Sequence, residues 1–372
     1  MAKSLRILHV FPSFELGGSQ RRMTTYLNAS EAPHNHLVYA MDDCYDAAEL
    51  SHHFRAARIP PGLIPKGNLL NAILGCRRAL QQTNPDLLVT YNWGSIEWAM
   101  ANRWPKRCPI VHIQDGFGED ERDGENPKRQ FMRKMTYSRC NRVIVPSNKL
   151  AALARESWKV PEKRLSYVPN GIDTSLFDRA ADTALTTSFG LSHSTPVIGT
   201  VARLTPEKNI GRLIEAFSKI ENKHSNARLV IVGDGVGMAA LKMLAERICV
   251  KGRVIFTGTI NEPQTIVPAF DIFALSSDTE QMPISVLEAM AAGKAIASTD
   301  VGDTKHMVSE TNQRFIKGRE ADELADSLDV LLSDPSLAKS LGEANKSLVR
   351  KRFSLDTMVK TYDRLFMEAV SS

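Results

Sequence analysis

Short apolar runs alternate with helix-length amphipathic segments along nearly the whole chain. This alternation is typical of parallel βαβ units, and it favours α/β domains whose sheets carry helices on both faces. In the first half the predicted strands are residues 5–11, 36–41, 87–92, 109–114, 142–147 and 166–170. In the second half they are residues 196–202, 227–233, 253–258, 271–277 and 295–299. A chain of 372 residues is long for one core, so each set of strands is expected to form its own doubly wound domain.

The segment between the two sets of strands indicates where the domains divide. It is polar and broken by Pro, Gly and Asn, which places the boundary near residues 171–190. The chain closes on an amphipathic segment with the period of a helix. The expected division is therefore one domain at 1–175, a second at 190–355, and a final helix at 356–372.

Composition and charge limit the class of protein and its partners. Hydrophobic residues make up 43% and charged residues 24%, as in soluble globular proteins. There is neither a membrane-spanning apolar run nor the long apolar region of a secretory signal, so we expect a cytoplasmic protein. Residues 1–170 carry a net charge of +8 and the remainder −3, which favours an anionic surface or substrate for the first half alone. We expect no nucleic-acid partner, and the sequence leaves the oligomeric state open.

Three familiar kinds of site are disfavoured by spacing. The five cysteines include no CxxC pair, which argues against a zinc site and a disulfide framework. GDGVG (233–237) lacks the GxGxxG spacing of a dinucleotide-binding turn. The sequence Gly293-Lys294-Ala295 lacks both the upstream glycine and the Ser/Thr of a P-loop.

The loop after the first strand, FELGGSQRRM (14–23), is a candidate phosphate site. Gly17 and Gly18 let backbone amides approach a ligand, and a helix predicted from near Ser19 would carry two arginines, at positions 21 and 22, in its first turn. Cations there oppose the helix dipole, and a bound anion would relieve the conflict. A tight turn with two solvated arginines explains the motif equally well.

A second candidate follows the first strand of the second half, in GTVARLTPEKN. Arg203 ends the strand, and Lys208 falls at the start of a helix predicted to be capped by Thr205 or Pro206. Two cations on one loop suit a diphosphate, with Arg binding in bidentate fashion and Lys as a point charge. Two surface charges flanking a helix cap are the alternative.

The third candidate is TEQMPISVLEAM (279–290). Pro283, at a first-turn position, would leave the amide of Ile284 and its neighbour free for phosphate oxygens. Glu288, more than one turn farther on, could accept both hydroxyls of a ribose. Glu280 would face whatever lies beyond the phosphates. An acidic loop and one surface glutamate remain an alternative.

Together these motifs resemble the donor half of the retaining glycosyltransferases of the GT-B fold, family 4. The resemblance rests on VARLTPEKN (201–209), VIVGDGVG (230–237) and SSDTEQMPISVLEAMAAGKAIASTDVG (276–302), whose two glutamates match the E-x7-E pattern. It extends to VPNGID, GGSQRR and the closing FSLDTMVKTYDRL, and so covers nearly the whole chain. It implies an α/β protein with two Rossmann-like domains facing a central cleft. The N-terminal domain would bind the acceptor, the C-terminal one the donor, and the final helix would cross back to the N-terminal domain.

The resemblance also implies a reaction. A UDP- or GDP-linked sugar would pass, with retention, to a hydroxyl of a glycan or lipid-linked acceptor in polysaccharide or glycolipid synthesis. Arg203 and Lys208 would hold the diphosphate, Glu288 the ribose, and Glu280 would face the sugar as a candidate catalytic residue. The implied donor-binding set is completed by Gly17, Gly18, Met282, Pro283 and Ile284. No cofactor and no metal is expected, because no Asp-x-Asp pair accompanies the motifs. An inactive nucleotide-sugar-binding or assembly protein of the same fold is the alternative.

The chain departs from the family pattern at three places, the first being Gln20 of GGSQRR, where Glu is common. The family usually has His-Gly after the fourth N-domain strand, whereas here PIVHIQ is followed by Asp115 and Gly116. Asp115 is therefore the main candidate to contact the sugar or its developing positive charge. His112 is a second catalytic candidate, although a histidine on a strand is more often packed. Most relatives have Glu-Gly where this chain has Glu280-Gln281, which predicts a different sugar or a more crowded loop.

Residues 128–142, KRQFMRKMTYSRCNR, form a candidate acceptor-side surface. They include six basic residues and no acidic one, interleaved with large apolar side chains. As a helix, the segment could lie on an anionic membrane surface and present a lipid-linked sugar, making the protein peripheral to the membrane. A solvated basic helix with an apolar stripe facing the core fits equally well.

Overall fold

The structure is a computed structural model. It describes residues 4–57, 59–60, 62–65, 67–103, 105–117, 121, 124–192 and 194–372. The chain divides into two compact units: Met1–Gly171 with Leu355–Ser372, and Ile172–Ser354. Most of the polar segment at 171–190 belongs to the second unit, where Phe177 is part of the hydrophobic core.

Each unit is built on a parallel sheet, with seven strands described in the first and six in the second. The first sheet has the order β3-β2-β1-β4-β5-β6-β7 and the second the order β10-β9-β8-β11-β12-β13. The strands are β1 Arg6–Phe11, β2 Asn35–Ala40, β3 Arg55–Ala56, β4 Leu87–Tyr91, β5 Ile110–Ile113, β6 Arg142–Val145, β7 Leu165–Tyr167, β8 Val197–Val201, β9 Arg228–Val232, β10 Val254–Gly258, β11 Ile272–Leu275, β12 Ala295–Thr299 and β13 Ile316–Lys317. Every predicted strand overlaps an observed one, and the expected α/β class is confirmed.

The helices follow the strands in chain order. They are α1 Gly18–Ala29, α2 Leu69–Thr83, α3 Ile96–Ala101, α4 Pro127–Tyr137, α5 Asn148–Glu156, α6 Thr183–Ser188, α7 Ile210–Ile220, α8 Met238–Ile248, α9 Ile284–Ala291, α10 Thr304–Met307, α11 Ala321–Ser333, α12 Pro335–Arg352 and α13 Leu355–Ser371. None of the helices in the described part of the chain is both long and apolar enough to cross a membrane.

Helices cover both faces of the first sheet. Alternate residues of β1 point to opposite sides: Ile7 joins a core with Tyr26 of α1 and Phe366 of α13, while Leu8 joins a core with Trp98 and Tyr137. Both faces of the central strands β1, β4 and β5 are therefore buried, which is why these strands are near-continuous apolar runs. The hydroxyl of Tyr26 also donates a hydrogen bond to Asp363 Oδ1 over 2.7 Å, so α13 is held to α1 within this unit.

Both sheets reverse their strand order at one place, between β1 and β4 in the first unit and between β8 and β11 in the second. In open parallel sheets the crevice at the carboxyl ends of the two strands at such a reversal is the usual ligand site. The loops that follow β1, β4, β8 and β11 therefore lie where binding residues are expected.

Candidate active site

Arg203 lies two residues beyond β8 and is exposed. The loop after β9 packs closely against the loop that carries it. A side chain at Gly233, whose φ is +130°, would have its Cβ 1.9 Å from the carbonyl oxygen of Ala202. The amide of Leu204 donates to the carbonyl of Asp234 over 2.9 Å. The glycine thus lets the two loops touch, and Arg203 projects from a backbone that is held in place.

Lys208 and Glu280 form an ion pair at the carboxyl edge of the second sheet. They are 72 positions apart in sequence, and the pairing of β8 with β11 brings them together. Lys208 Nζ lies 2.7 Å from Glu280 Oε1, with the side chains 21% and 13% exposed. The hydroxyl of Ser277 donates to the same carboxylate oxygen over 2.9 Å. Because the pair is partly open to solvent, an anion could compete with Glu280 for Lys208.

The helix after Lys208 begins later than expected. Lys208 ends a short 3-10 turn that starts at Pro206, and α7 begins after Asn209. Asn209 adopts a left-handed backbone (φ +41°), and its side chain accepts a hydrogen bond from the amide of Arg212 over 3.2 Å. Thr205 and Pro206 begin that short turn, as its cap residue and its first residue, whereas the cap of α7 itself is Asn209. Asn is among the best N-cap residues and tolerates this conformation, so it takes the role.

A second ion pair braces the loop that carries Glu280. Arg212 Nη2 lies 2.7 Å from Asp278 Oδ1, and Nη1 donates to the carbonyl of Ser276 over 2.7 Å. Gly302 (φ +56°) supports the loop from another side, since a Cβ there would come within 2.5 Å of the carbonyl of Glu280. The sequence reading missed these supporting residues because each is ordinary in isolation.

Helix α9 begins at Ile284, with Pro283 one residue before it at the N-cap position rather than in the first turn. Amides in the first turn of a helix have no acceptor within the helix, so this end can donate to an anion. Glu288, one turn farther along, is only 7% exposed. Met282 packs into the hydrophobic core of the second unit, so its side chain offers a ligand little surface.

In the first unit, α1 begins at Gly18, with Gly17 as its cap residue and no acidic side chain in the first turn. Arg21 is exposed and remains available to an anion near this end. Arg22 is buried and points into the unit, so the interpretation with two solvated arginines is wrong for Arg22.

Arg22 is instead paired with Asp115. Its Nη2 contacts Asp115 Oδ1, and the side chains are 4% and 14% exposed. The amide of Asp115 donates to Oδ1 of Asn92, which follows β4 with φ +53°, over 2.8 Å. Arg22 Nη1 also reaches Asn170 Oδ1 at 3.4 Å. The loops after β4, β5 and β7 thus converge on one guanidinium.

In this pair, the charge of each partner shifts the pKa of the other in the direction opposite to burial. Burial raises the pKa of Asp115 above its ordinary value, and the positive charge of Arg22 counteracts that rise. Burial likewise acts to lower the pKa of Arg22, but the carboxylate of Asp115 outweighs it and the pKa is raised. Two phenols face the pair: burial raises the pKa of Tyr362 to about 12 and that of Tyr91 well above its usual range.

His112 lies in the core beside β4. Its Nδ1 is 2.9 Å from Thr90 Oγ1, its Nε2 is 3.3 Å from Gln114 Oε1, and its ring stacks on Tyr137 at a centroid distance of 3.9 Å. Burial lowers its pKa to about 3, a hydrogen bond to Gln114 opposes the fall, and the charge of Arg133 adds to it. The imidazole is thus neutral near pH 7 and fully enclosed. Its catalytic assignment stays a prediction.

The basic segment 128–142 is only partly a cationic surface. Arg133 of α4 is buried, with Nη2 2.5 Å from Glu121 Oε2 and Nη1 3.0 Å from Glu125 Oε1. The rings of Trp93 and Phe117 lie 5.1 and 5.0 Å from its guanidinium carbon. Arg133 therefore belongs neither to a membrane-facing surface nor to a solvated one, because nearby carboxylates and aromatic rings enclose it.

The outer face of α4 keeps three residues that suit a surface role. Lys128 and Lys134 are exposed, and Phe131, at helical spacing between them, is 64% exposed. Farther along, Arg142 is paired with Glu368 of α13 over 2.7 Å. The cations available to a partner on this face are thus fewer than the sequence suggests.

The sequence analysis missed the burial of Arg22 and the role of Asn92, although each left a signal. Arg22 precedes Tyr26 by four positions, so helical periodicity places it on the buried face of α1. Asn92 directly follows a strand, a common place for a residue with positive φ that caps a loop. Among the described residues, no group of three or more His, Cys, Asp or Glu side chains could hold a metal ion.

Two family models match the chain. Residues 184–348 match the family model for glycosyl transferases group 1, and residues 16–176 match that for glycosyltransferase family 4. The chain is 24% identical over 248 residues to N-acetyl-alpha-D-glucosaminyl L-malate synthase of Bacillus anthracis, covering 66% of this chain and 65% of that protein. It is 31% identical over 212 residues to a GDP-mannose-dependent alpha-(1-6)-phosphatidylinositol monomannoside mannosyltransferase of Mycobacterium tuberculosis, covering 53% and 54%. The matches thus span between about half and two thirds of these relatives.

Solved structures share the fold over the whole chain. HepE of Anabaena, solved in complex with UDP and glucose, matches with a TM-score of 0.81 at 19% identity, covering 97% of this chain and 98% of that one. Sucrose-phosphate synthase of Thermosynechococcus elongatus matches with a TM-score of 0.79 at 19% identity, covering 98% and 99%. The two family models and the fold agree, and the chain belongs to the GT-B glycosyltransferases of family 4, the glycosyl transferases group 1.

Proposed function

We propose that the protein is a retaining, metal-independent glycosyltransferase that moves a sugar from a UDP- or GDP-linked donor to a hydroxyl of a glycan or lipid-linked acceptor. The observation that carries this proposal is the Lys208–Glu280 ion pair at the carboxyl edge of the second sheet. Support comes from the mannosyltransferase relative, whose name specifies GDP-mannose and a phosphatidylinositol mannoside, and from HepE with its bound UDP.

Donor binding is assigned mainly to the second unit. Arg203 is exposed and Lys208 is partly exposed, so both can reach a diphosphate, and the amide end of α9 at Ile284 can donate to its oxygens. Glu288 takes the ribose hydroxyls. Pro283 and Met282 shape this end through their backbone. Gly17 and Gly18 stay proposed phosphate ligands because they form the amide end of α1.

The proposed chemistry depends on charge stabilisation. The bond from the anomeric carbon to the diphosphate oxygen breaks, and its electron pair stays on the diphosphate. The acceptor hydroxyl oxygen forms the new bond on the same face and releases one proton. Arg203, Lys208 and helix-end amides stabilise the negative charge that grows on the leaving group, without rearranging. Glu280 faces the sugar, whose ring gains positive charge.

In the first unit, the carboxylate of Asp115 is proposed to supply negative charge near the reacting carbon. Removing that charge with Asp115→Asn should lower turnover far more than nucleotide affinity, and near-normal turnover would remove Asp115 from the mechanism. His112 is enclosed by Thr90, Gln114 and Tyr137. This burial favours a role in orienting Gln114 over direct contact with substrate.

The competing function is a catalytically inactive nucleotide-sugar-binding or assembly protein. The observation in its favour is Asp115, which stands where the family usually has histidine and is already paired with Arg22. A transferase releases nucleoside diphosphate in the presence of an acceptor, whereas a sensor binds the donor and releases none. The two functions therefore separate in one assay.

For the acceptor side, we propose that the outer face of α4 contacts an anionic membrane surface. Lys128 and Lys134 supply charge, and Phe131 supplies an exposed ring between them. This arrangement would bring the protein to a lipid-linked acceptor.

The test begins with a thermal-shift screen of UDP-glucose, GDP-mannose and ADP-glucose. A donor that binds the folded state raises its melting temperature. Nucleotide release is then measured with candidate acceptors. Lys208→Ala should abolish the thermal shift, whereas Lys219→Ala, which removes a surface pair with Asp322 on the same unit, should not. A shift that survives in Lys208→Ala would contradict the assigned donor site.

A further inference from the structure

The Arg22–Asp115 pair differs from the Lys208–Glu280 pair of the second unit in that its cation is buried, with 4% exposure against 21%. Arg22 reaches it from α1, and Asp115 from the loop after β5. Asn92 fixes the backbone of Asp115 by accepting its amide hydrogen, and Asn170 lies 3.4 Å from the guanidinium. The Arg22 side chain is only 4% exposed, so its buried charge is balanced by the carboxylate of Asp115.

The groups that face the pair leave Arg22 as its only source of positive charge among the described residues. Tyr91 of β4 and Tyr362 of α13 both lie close enough to interact with Asp115, and burial raises the pKa of each. Both phenols are therefore neutral near pH 7. The pKa of Asp115 is raised by burial and held down by Arg22, so the charge of this carboxylate depends on that one arginine.

The pair also has a direction. Arg22 lies one turn into α1, whereas Asp115 lies two residues beyond the end of β5, so the negative end of the pair is at the carboxyl edge of the sheet. Both oxygens of Asp115 are covered by protein, and Oδ1 is in contact with Nη2 of Arg22. The carboxylate thus acts by its charge, whose influence extends farther where water is excluded.

We propose that Arg22 is a positioning residue, which keeps the Asp115 carboxylate charged and fixed so that the pair acts as a buried dipole with its negative end toward the sugar. This inference rests on the proposed sugar transfer. The developing positive charge on the sugar ring would be stabilised by that end. Arg22 itself does not touch substrate.

The first test measures the titration midpoint of Asp115 directly and does not require enzymatic activity. The carboxyl ¹³C signal of Asp115 is followed against pH in protein with labelled aspartate, and is assigned as the signal missing from Asp115→Asn. In Arg22→Gln its titration midpoint should rise by roughly one to three pH units. In Arg22→Lys the midpoint should stay near that of the parent. An unchanged midpoint in Arg22→Gln would overturn the proposal.

The second test measures how kcat depends on pH. The donor is whichever of UDP-glucose, GDP-mannose and ADP-glucose the parent turns over. Activity should fall on the acid side as Asp115 gains its proton, so the acid limb of kcat should move upward by the same one to three pH units in Arg22→Gln. Arg22→Lys should restore the limb. A limb that does not move while the Asp115 midpoint does would overturn the positioning role.

Two further variants guard against a purely structural effect. Arg142→Gln removes another arginine–carboxylate pair of the same unit, that with Glu368, and should leave the acid limb where it is. The double variant Arg22→Gln/Asp115→Asn removes both charges and should fold if Arg22→Gln alone does not. Its kcat should be low and its acid limb absent, and an acid limb like that of the parent would refute the proposal. If the parent releases nucleotide from none of the three donors, sugar transfer is refuted, while the ¹³C titration still decides whether Arg22 controls Asp115.

Discussion

The two sheets share one strand order, yet they use their ion pairs differently. The carboxylates are about equally exposed, Asp115 at 14% and Glu280 at 13%, but Arg22 is 4% exposed and Lys208 is 21% exposed. A ligand can therefore reach the cation in the second unit and cannot reach it in the first. The proposed role of Lys208 is accordingly to bind a ligand, and that of Arg22 is to neutralise its own carboxylate.

This difference predicts opposite costs for breaking the two pairs. Removing a partner from a buried pair leaves an uncompensated charge away from water, whereas a partly solvated pair loses little. A cation that can leave its partner can also follow a leaving group during reaction. Stability and catalysis should thus separate between the two units.

The largest effect is expected for Arg22→Ala, which leaves Asp115 buried without its countercharge. The free energy of unfolding of the first unit should fall by about 3–5 kcal/mol. All four tryptophans lie in that unit, so urea unfolding followed by tryptophan fluorescence reports on it. Adding Asp115→Asn should recover much of the loss, and a double variant as unstable as Arg22→Ala would contradict the argument.

Next in size is the loss of activity in Lys208→Ala. Removing one preorganised charge from the leaving diphosphate should lower kcat by roughly 10²–10³-fold, since such groups stabilise the transition state most. The free energy of unfolding should change by about 1 kcal/mol or less, because the pair is partly solvated. Nucleotide-release kinetics beside a urea titration followed by circular dichroism would measure both.

Glu280→Gln removes the negative partner of the Lys208–Glu280 pair and is the counterpart of Lys208→Ala. It should lower turnover while leaving nucleoside diphosphate affinity unchanged or higher, because Lys208 is no longer held by a carboxylate 2.7 Å away. Equal losses of UDP affinity in Lys208→Ala and Glu280→Gln would show that Glu280 does not compete with the nucleotide for Lys208.

The sequence predicts the sheets well and the pairing of charges poorly. Apolar periodicity locates strands such as β1 and β11 because both of their faces are buried. The two-residue strands β3 and β13 carry too little periodic signal to be found. Lys208 and Glu280 were each singled out, but their contact depends on the adjacency of β8 and β11, which no local pattern encodes.

The roles of Arg22 and Arg133 show what the local sequence does not reveal. Arg22 was assigned to a phosphate site or to a solvated turn, and Arg133 to a basic surface, yet both are buried against carboxylates. In each case the partner comes from a different loop, Asp115 for Arg22 and Glu121 for Arg133. Burial of a cation is decided by these tertiary contacts, and in the first half of the chain they turn an apparent basic surface partly inward.

A smaller effect should follow from pH, again in the first unit. His9, His36 and His112 are buried there, whereas the described histidines of the second unit, His224 and His306, are not. Burial lowers the pKa of His36 to about 4 and that of His112 to about 3. The unfolded chain therefore binds protons between pH 6.5 and 4 that the folded unit does not, and stability falls as pH falls through that range.

His36 by itself contributes about 3 kcal/mol to this loss by pH 4, and His112 adds to it. Tryptophan fluorescence during urea titrations at pH 7.5 and pH 4.5 should show it. His36→Gln removes one titrating ring, so its stability should depend less steeply on pH. A parent protein with the same urea midpoint at both pH values would contradict the assignment.

The smallest effect concerns the outer face of α4, in the half of the chain that carries the net charge of +8. Each lysine near an anionic bilayer contributes about 1 kcal/mol, so Lys128→Ala/Lys134→Ala should weaken binding to phosphatidylserine vesicles by roughly thirtyfold at low salt. Lys251→Ala/Lys339→Ala removes two exposed lysines from the second unit and should leave binding almost unchanged. Equal losses in the two double variants would mean that net charge alone attracts the vesicle, and that α4 has no special place in the contact.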